Sequence, residues 1–235
     1  MNNSPNPEII RSMFSKVAAN YDRANSVLSV GIHHLWRKKL VELSKAKPGD
    51  RILDCATGTG DLAIAFKKAV GSDGRVIGTD FCAEMLESAP AKAKKENLDI
   101  TFEQADVTSL QYPPAEFDIV SISFGIRNVS DPVKALSEMA RVTKSGGRVM
   151  VLEFGQMTTP VVKDLYNIYS EKVLPVLGGL VSGQKDAYDY LQKSSAAFPC
   201  REEFLDLMKK TNRFSEVSYE PVSFGIAYIY TGIVK

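Results

Sequence analysis

The 235-residue sequence has no uninterrupted apolar stretch near the roughly 18–20 residues that a bilayer-spanning helix needs. Its longest apolar piece, Val173 to Val181, is broken by Pro175, Gly178 and Gly179. Charge of one sign is missing too: 29 Lys+Arg stand against 28 Asp+Glu, a net charge of +1. Proteins that work by neutralising phosphates show a larger basic excess, so no nucleic-acid partner is expected. The three cysteines, at 55, 82 and 200, form neither a CxxC pair nor a metal-ligand spacing, and no metal is expected. Met1-Asn2-Asn3-Ser4-Pro5 lacks a basic segment leading into an apolar run, so no signal peptide is expected. There are no internal repeats and no low-complexity tracts. These absences leave a reduced, soluble, cytoplasmic protein as the expectation.

What is present is a globular composition, 44% hydrophobic and 24% charged, in a chain long enough for one domain with a full core. Residues 5 to about 45 read as helical. Pro5 and Pro7 stand at a helix start, Ile9, Ile10, Met13, Phe14 and Val17 recur at helical spacing, and Asn20-Tyr21-Asp22-Arg23 breaks the pattern. A second helix is expected from His33 to Lys45.

From residue 51 short strands alternate with helices. Strands are expected at Arg51–Asp54, Arg75–Asp80, Ile100–Gln104, Phe117–Ser123 and Arg148–Glu153. Helices are expected near 61–70, 83–95 and 132–143, the last ending at Ser145-Gly146-Gly147. Such alternation predicts an α/β fold with a doubly wound, mostly parallel sheet. Residues 160–193 read as a helical insert and Glu202–Lys210 as a helix. Phe214–Tyr219 and Gly225–Val234, separated by Glu220-Pro221, read as an antiparallel pair at one sheet edge. The expected organisation is a single domain: a helical cap (1–45), a cofactor-binding core (46–155), and a substrate lid with C-terminal strands (156–235).

The sharpest local signal is Asp54-Cys55-Ala56-Thr57-Gly58-Thr59-Gly60-Asp61, which follows a strand and opens a helix. Glycines there let the backbone approach a ligand at the carboxyl edge of the sheet. Asp80 ends the next strand, where a carboxylate can accept from both ribose hydroxyls of a nucleoside. Asp106 follows the third strand and can accept from an exocyclic adenine amine. Ser123 ends the fourth strand at the same edge. The spacing Gly58-x-Gly60-x-x-Ala63 also fits a dinucleotide fingerprint. However, a pyrophosphate is poorly served by a loop flanked by Asp54 and Asp61. Those carboxylates suit a cation better, such as a sulfonium carrying an ammonium. The bland alternative makes Asp54 and Asp61 ordinary turn or capping residues.

Asp54 to Asp61, Gly78-Thr79-Asp80, Gln104-Ala105-Asp106 and Gly146-Gly147 resemble the motifs of class I S-adenosylmethionine-dependent methyltransferases. The chain is more closely similar to the quinone C-methyltransferases of menaquinone and ubiquinone biosynthesis. This resemblance rests on Val17-Ala18-Ala19-Asn20-Tyr21-Asp22 with Asn25–Ser29 and Gly31–Trp36, and on Ile122-Ser123-Phe124-Gly125-Ile126-Arg127-Asn128-Val129. It extends to Gly146-Gly147-Arg148 through Leu152-Glu153-Phe154, and to Tyr190-Leu191 with Ser194-Ser195 and Phe198-Pro199. The run Phe124–Asn128 is the specific part, whereas the glycine loop identifies only the superfamily. The C-terminal strand departs from the family pattern, reading Ala227-Tyr228-Ile229-Tyr230-Thr231-Gly232 where members often carry a His.

The resemblance implies a seven-stranded methyltransferase sheet, S-adenosylmethionine as methyl donor, and C-methylation of a polyprenylated quinol. The expected reaction is demethylmenaquinol to menaquinol, with the ubiquinone precursor 2-polyprenyl-6-methoxy-1,4-benzoquinol as a second acceptor. It also implies donor contacts at Thr59, Asp80, Asp106, Val107 and Ser123, to which the loop adds Asp54, Gly58 and Gly60. Alternatives are methylation of a sterol or phenol, an NAD-dependent oxidoreductase, and a catalytically silent methyltransferase-fold partner protein.

Methyl transfer to a ring carbon needs an in-line approach, an electron-rich ring and an exit for the carbon-bound proton. Arg127 and Asn128, just beyond the fourth strand, are candidates to steady phenolate charge, order a water and hold a hydroxyl. Tyr21 and Asp22, from the cap, are candidates to close over the quinol. His33 and His34 are adjacent on a helix, where side chains diverge, so at most one points inward; capping or exposure is the plainer reading. Cys55 is not expected to be a nucleophile. Val27, Leu28, Val30, Ile32, Trp36, Val173, Leu174, Val176, Leu177 and Leu180 offer apolar surface to a prenyl tail, or simply core packing. An apolar lid from residues 20–36 and 170–185, with Arg37, Lys38 and Lys39, would face the bilayer. The expected location is therefore the cytoplasm, with peripheral contact at the inner face of the membrane and assembly into a homo-oligomer left open.

Overall fold

The computed structural model describes residues 5–18, 21–22, 31–157 and 185–235. The tail-binding expectations at Val27, Leu28, Val30 and residues 173–180, and most of the helical insert, lie outside the described residues.

Asn6 caps the first helix, α1 (Pro7–Val17): its side-chain oxygen accepts the N–H of Glu8 at 2.9 Å and of Ile9 at 3.4 Å. Pro7 sits where a missing N–H is harmless. The second helix, α2 (Ile32–Ser44), buries Trp36 and Leu40. Then come β1 (Arg51–Cys55), α3 (Asp61–Val70), β2 (Arg75–Asp80), α4 (Ala83–Leu86), α5 (Ala89–Lys95), β3 (Thr101–Gln104) and β4 (Phe117–Ser123). They are followed by α6 (Pro132–Val142), β5 (Thr143–Phe154), α7 (Lys185–Ala197), α8 (Glu202–Lys210), β6 (Phe214–Val222) and β7 (Ala227–Val234).

The seven strands form one sheet in the order β3-β2-β1-β4-β5-β7-β6. The first five are parallel, and β7 runs antiparallel to both of its neighbours. Strand periodicity splits the core between two faces. Leu53, Val120, Ile122, Val149 and Val151 pack toward Leu136 and Met139 of α6 and Phe204 of α8. Ile52, Ile119, Met150 and Leu152 pack toward Trp36 and Leu40 of α2 and Leu62 and Phe66 of α3. The strand order reverses between β1 and β4, the crevice where open α/β sheets bind ligands.

Three expectations are corrected. The helix expected over 83–95 is two helices, because Pro90 has no N–H to continue the first and instead starts the second. Ser145-Gly146-Gly147 does not end a helix. It bulges within β5, with the register passing from Phe117↔Thr143 to Ile119↔Arg148. Gly146 takes φ +73°, and a Cβ on Gly147 would lie 2.7 Å from the Asp118 carbonyl. Glu220-Pro221 does not separate the last strands but lies inside β6, an edge strand that tolerates a missing donor. The turn is at Ser223–Gly225. The antiparallel pair expected at one edge is present: β7 pairs with β5 and β6, and β6 closes the sheet opposite β3.

Candidate active site

The glycine loop turns the chain from β1 into α3 through three left-handed residues, Ala56 (φ +49°), Gly58 (φ +56°) and Gly60 (φ +86°). At Gly60 a Cβ would also come within 3.0 Å of the Phe102 ring and 3.1 Å of Ala89. Backbone conformation and packing therefore both demand glycine there. Beneath the loop, Asp54 is 1% exposed and accepts hydrogen bonds from Thr57 Oγ1 at 2.6 Å and Ser121 Oγ at 2.7 Å. Burial pushes its carboxyl up to about 6, against those two hydroxyls. Asp54 thus ties the loop to β1 and β4.

Asp80, at the end of β2, accepts the Gly58 N–H on Oδ2 and the Cys82 N–H on Oδ1, both at 2.9 Å. Burial raises its carboxyl to about 6, opposed by the N–H groups of Cys82, Gly58 and Phe81. Each oxygen retains a lone pair, so the carboxylate is braced from the backbone and can still accept from a diol. Asp106 is exposed; its Oδ1 accepts the Thr108 N–H and hydroxyl, both at 2.8 Å, in a local turn. Val107 is half-buried against the core beside it.

A small pocket opens at the β1–β4 crevice. Tyr21, Arg37, Asp54, Thr59, Asp61 and Ser123 are among its walls. Over it lies a charged network that joins the cap to the core. The Asp22 carboxylate accepts from the Thr59 hydroxyl. Lys92 Nζ donates to Asp22 Oδ2 (2.7 Å), Thr59 Oγ1 (3.1 Å) and Asp61 Oδ1 (2.5 Å). Arg37 NH1 stands 3.3 Å from Asp61 Oδ2. Burial opposes ionisation of Asp61, yet Arg37 and Lys92 hold its carboxyl below the ordinary range. The Tyr21 ring leans on the loop, 4.0 Å from where a Gly58 Cβ would be.

Arg37 was expected to face the bilayer with Lys38 and Lys39. It is 8% exposed and points into this pocket, while its two neighbours are exposed. Of the two histidines only His33 is buried, as expected for adjacent helical positions, although the two rings approach to 4.0 Å. Burial, then the charges of Arg37 and His34, lower His33 to about 4 and make it a weak base. Donor atoms of His33, His34 and Asp61 lie within 4.8 Å of one another, but Arg37 and Lys92 already pair with that carboxylate. Cys55 is fully buried and burial pushes its thiol up, so it is inert.

The other half of the site lies beyond β4. Arg127, 7% exposed in a short 3₁₀ turn (Ile126–Asn128), donates from NH1 to Glu153 Oε1 and to the Phe124 carbonyl, both at 2.7 Å. Glu153, at 1% exposure, lies beside it as the penultimate residue of β5. The guanidinium also lies 5.5 Å from the centre of the Phe154 ring, and that ring packs on Phe124. Asn128 is half-buried, and its Oδ1 accepts from the Tyr190 hydroxyl at 3.0 Å. Burial raises the Tyr190 phenol, which keeps it a donor.

The structure therefore groups Tyr21, Asp54, Gly58, Thr59 and Ser123 around one pocket, with Asp80 hydrogen-bonded to its loop. Arg127 and Asn128 form a second group. Sequence reasoning missed Arg37, Lys92, Glu153 and Tyr190 as site residues. Glu153 and Tyr190 fell within resembling stretches, but nothing local marked their partners, 26 and 62 positions away.

Comparison with known proteins bears on the fold and the family. A solved S-adenosylmethionine-dependent methyltransferase from Thermotoga maritima, a possible histamine N-methyltransferase, superposes with a TM-score of 0.67 at 22% identity, covering 96% of this chain and all of the other. That likeness establishes the fold. The chain is 71% identical over 234 residues to the ubiquinone/menaquinone biosynthesis C-methyltransferase UbiE of Bdellovibrio bacteriovorus, covering 100% of this chain and 99% of that protein. It is 44% identical to the demethylmenaquinone methyltransferase of Thermus thermophilus, over 94% of this chain and 99% of that one. The model of the ubiE/COQ5 methyltransferase family matches residues 2–234. The glycine loop, the carboxylate ending β2 and the Phe124–Asn128 turn thus stand in a protein that belongs to the ubiE/COQ5 methyltransferase family.

Proposed function

We propose that this methyltransferase transfers the methyl group of S-adenosylmethionine to a ring carbon of a polyprenylated quinol, converting demethylmenaquinol to menaquinol, with the ubiquinone precursor as a second acceptor. The observation that carries the reading is the full-length 71% identity to a quinone C-methyltransferase, on a chain whose glycine loop and Asp80 are intact. The oxidoreductase, sterol and silent-partner readings find no support in that likeness. We take the chain to act as a single domain, with the cap and C-terminal region closing on the core.

The residues fit the donor. It is a nucleoside whose cationic sulfonium bears an amino acid, and the site offers a braced carboxylate and an acidic loop. Asp80 would take the ribose hydroxyls, Asp106 the adenine amine through its outward oxygen, and Val107 the face of the base. Gly58, Thr59 and Gly60 would line the path to the sulfonium, with Ser123 at its far side. Asp54 acts from below, holding the loop. The donor supplies an electrophilic methyl; everything else is positioning and charge.

On the acceptor side, Asn128 has its carbonyl oxygen engaged by Tyr190, which leaves the amide N–H groups to hold a quinol oxygen. Arg127 fixes the turn that presents Asn128 and supplies positive potential as the quinol oxygen gains phenolate character. Its Nε, buried and without a hydrogen-bond partner among the described residues, remains available to a substrate oxygen or an ordered water that takes the ring proton. Tyr21 would cover the donor end and keep water from the transfer.

No helix among the described residues is long and apolar enough to cross a membrane. A prenylated acceptor resides in lipid, so we infer peripheral contact from the cytoplasmic side, aided by exposed Leu35 and Phe224 with Lys38 and Lys39 nearby in sequence. Assembly of further copies is compatible with this reading and is not required by it. Mass-spectrometric quinone profiling of cells lacking the protein tests the reaction: demethylated quinone should accumulate, and an unchanged quinone pool would overturn the assignment.

A further inference from the structure

The charged network over the glycine loop contains two cations, and they differ in what they have left to give. Lys92 has three N–H donors, and all three are used, on Asp22, Thr59 and Asp61. Arg37 is different. Its side chain enters the pocket wall from α2 and is about nine-tenths buried. Its NH1, although 3.3 Å from Asp61 Oδ2, has no partner in hydrogen-bond geometry among the described residues. A buried guanidinium nitrogen without a bonded acceptor is expensive, and such a group is normally matched by an acceptor in the working state.

The surroundings define that acceptor. Arg37, Lys92, Asp22 and Asp61 carry two charges of each sign, so the cluster is formally neutral. A ligand that inserts a lone anion would leave a surplus charge in a half-buried site. A zwitterion would not. The flanking groups carry no competing positive charge: Asp54 is held beneath the loop by Thr57 and Ser121, and burial keeps His33 neutral. The pocket also reaches Gly58, Thr59 and Ser123, the positions assigned above to the donor's sulfonium path.

We propose that Arg37 is the carboxylate-binding residue for the amino-acid end of the methyl donor, with Asp61 facing the donor's ammonium. This rests on the reading of the glycine loop as the donor site and adds to it a residue from the N-terminal cap.

The test is calorimetry with two probes, S-adenosylmethionine and its decarboxylated analogue, which retains the sulfonium, ammonium and nucleoside. Wild-type protein should prefer the intact donor by roughly ten- to a hundredfold, the scale of one charge-assisted hydrogen-bonded contact. Arg37→Leu and Arg37→Gln should bind both probes alike, and Arg37→Lys should show an intermediate preference because a point charge replaces the planar fork. Asp80→Ala should weaken both probes and leave their ratio at the wild-type value. Equal binding of the two probes by wild type overturns the role of Arg37 while the donor site stands, and this result needs no variant to fold. A full preference surviving in either neutral Arg37 variant overturns it as well. If wild type binds neither probe, the donor-site reading itself fails and takes this inference with it.

Discussion

The proposed donor end and the proposed acceptor end of the site are built on opposite electrostatic plans. At the donor end, Asp80 is braced by two backbone N–H groups, and Asp61, Asp22, Lys92 and Arg37 form a partly solvated mesh with an unused donor. At the acceptor end, Arg127 and Glu153 are paired in a nearly dry setting walled by Phe124 and Phe154, and Asn128 is tied to Tyr190. The first arrangement suits a ligand that brings its own charges. The second suits a neutral, oily substrate, for which we propose that it holds one cation near the oxygen that gains charge. A buried pair is weak evidence of stability, but removing one member is costly because the other charge is left alone. The donor end should therefore tolerate mutation as a binding defect, and the acceptor end should register it as a defect of fold and turnover together.

The largest expected effect is at Arg127. Arg127→Ala should lower kcat by about a hundred- to a thousandfold if the cation acts in the transition state, with donor affinity changed by less than about threefold. It should also cost about 3–5 kcal/mol of stability, because Glu153 loses its partner. The double variant Arg127→Met with Glu153→Leu separates the two: melting temperature should recover while turnover stays low. Recovery of both would make the pair purely structural. The assay is methyl transfer to a short-tailed demethylmenaquinol, with donor binding measured separately.

Asp80→Ala comes next. It should weaken donor binding by about 1.5–3 kcal/mol, roughly ten- to a hundredfold, with a smaller loss of stability than at Arg127. An unchanged calorimetric affinity would remove Asp80 from the site and blur the contrast between the two ends.

The Lys92 latch is partly exposed, so Lys92→Met should cost no more than about 1 kcal/mol, and less as salt is raised. A larger, salt-independent loss in chemical denaturation would mean the donor end is as dry as the acceptor end.

The pH dependence of stability offers the smallest and most specific signal. His33 is lowered from 6.5 to about 4, so the unfolded chain binds more protons between those values, and its contribution is lost as pH falls through that window. Asp54 and Asp80 are raised from 3.8 to about 6, so they act in the opposite sense: their contribution is present below 3.8 and fades as pH rises toward 6. His33→Gln should therefore flatten the acid-side loss between pH 6.5 and 4 in thermal unfolding scans, and Asp54→Asn should steepen it. Parallel curves for wild type and His33→Gln would show that the imidazole is not held neutral by burial.

Most of the parallel core is legible without coordinates, because each buried strand carries its own apolar run and each turn its own glycines. Arg75–Asp80 and Phe117–Ser123 match the observed bounds, and the loop from Asp54 to Asp61 is a local device whose geometry is written in adjacent residues. Apart from the helix break at Pro90, which is local, two misreadings fall where distant partners decide. Gly146-Gly147 looks like a helix stop but is a bulge pressed on the Asp118 carbonyl. Arg37 looks like one of three surface cations until α2 is rolled onto the sheet by Trp36, whose indole N–H donates to Ser223, 187 positions away, at 2.8 Å.

The sequence by itself determined the strand–helix alternation, the glycine loop and the carboxylate ending β2, since these depend on backbone conformation and side-chain periodicity over a few residues. Only the tertiary structure decided which charges meet. The pairing of Arg127 with Glu153, of Asn128 with Tyr190, and the inward turn of Arg37 all depend on how separate elements pack. Coulombic and hydrogen-bond energies fall off over a few ångströms, a distance that residue numbering does not measure.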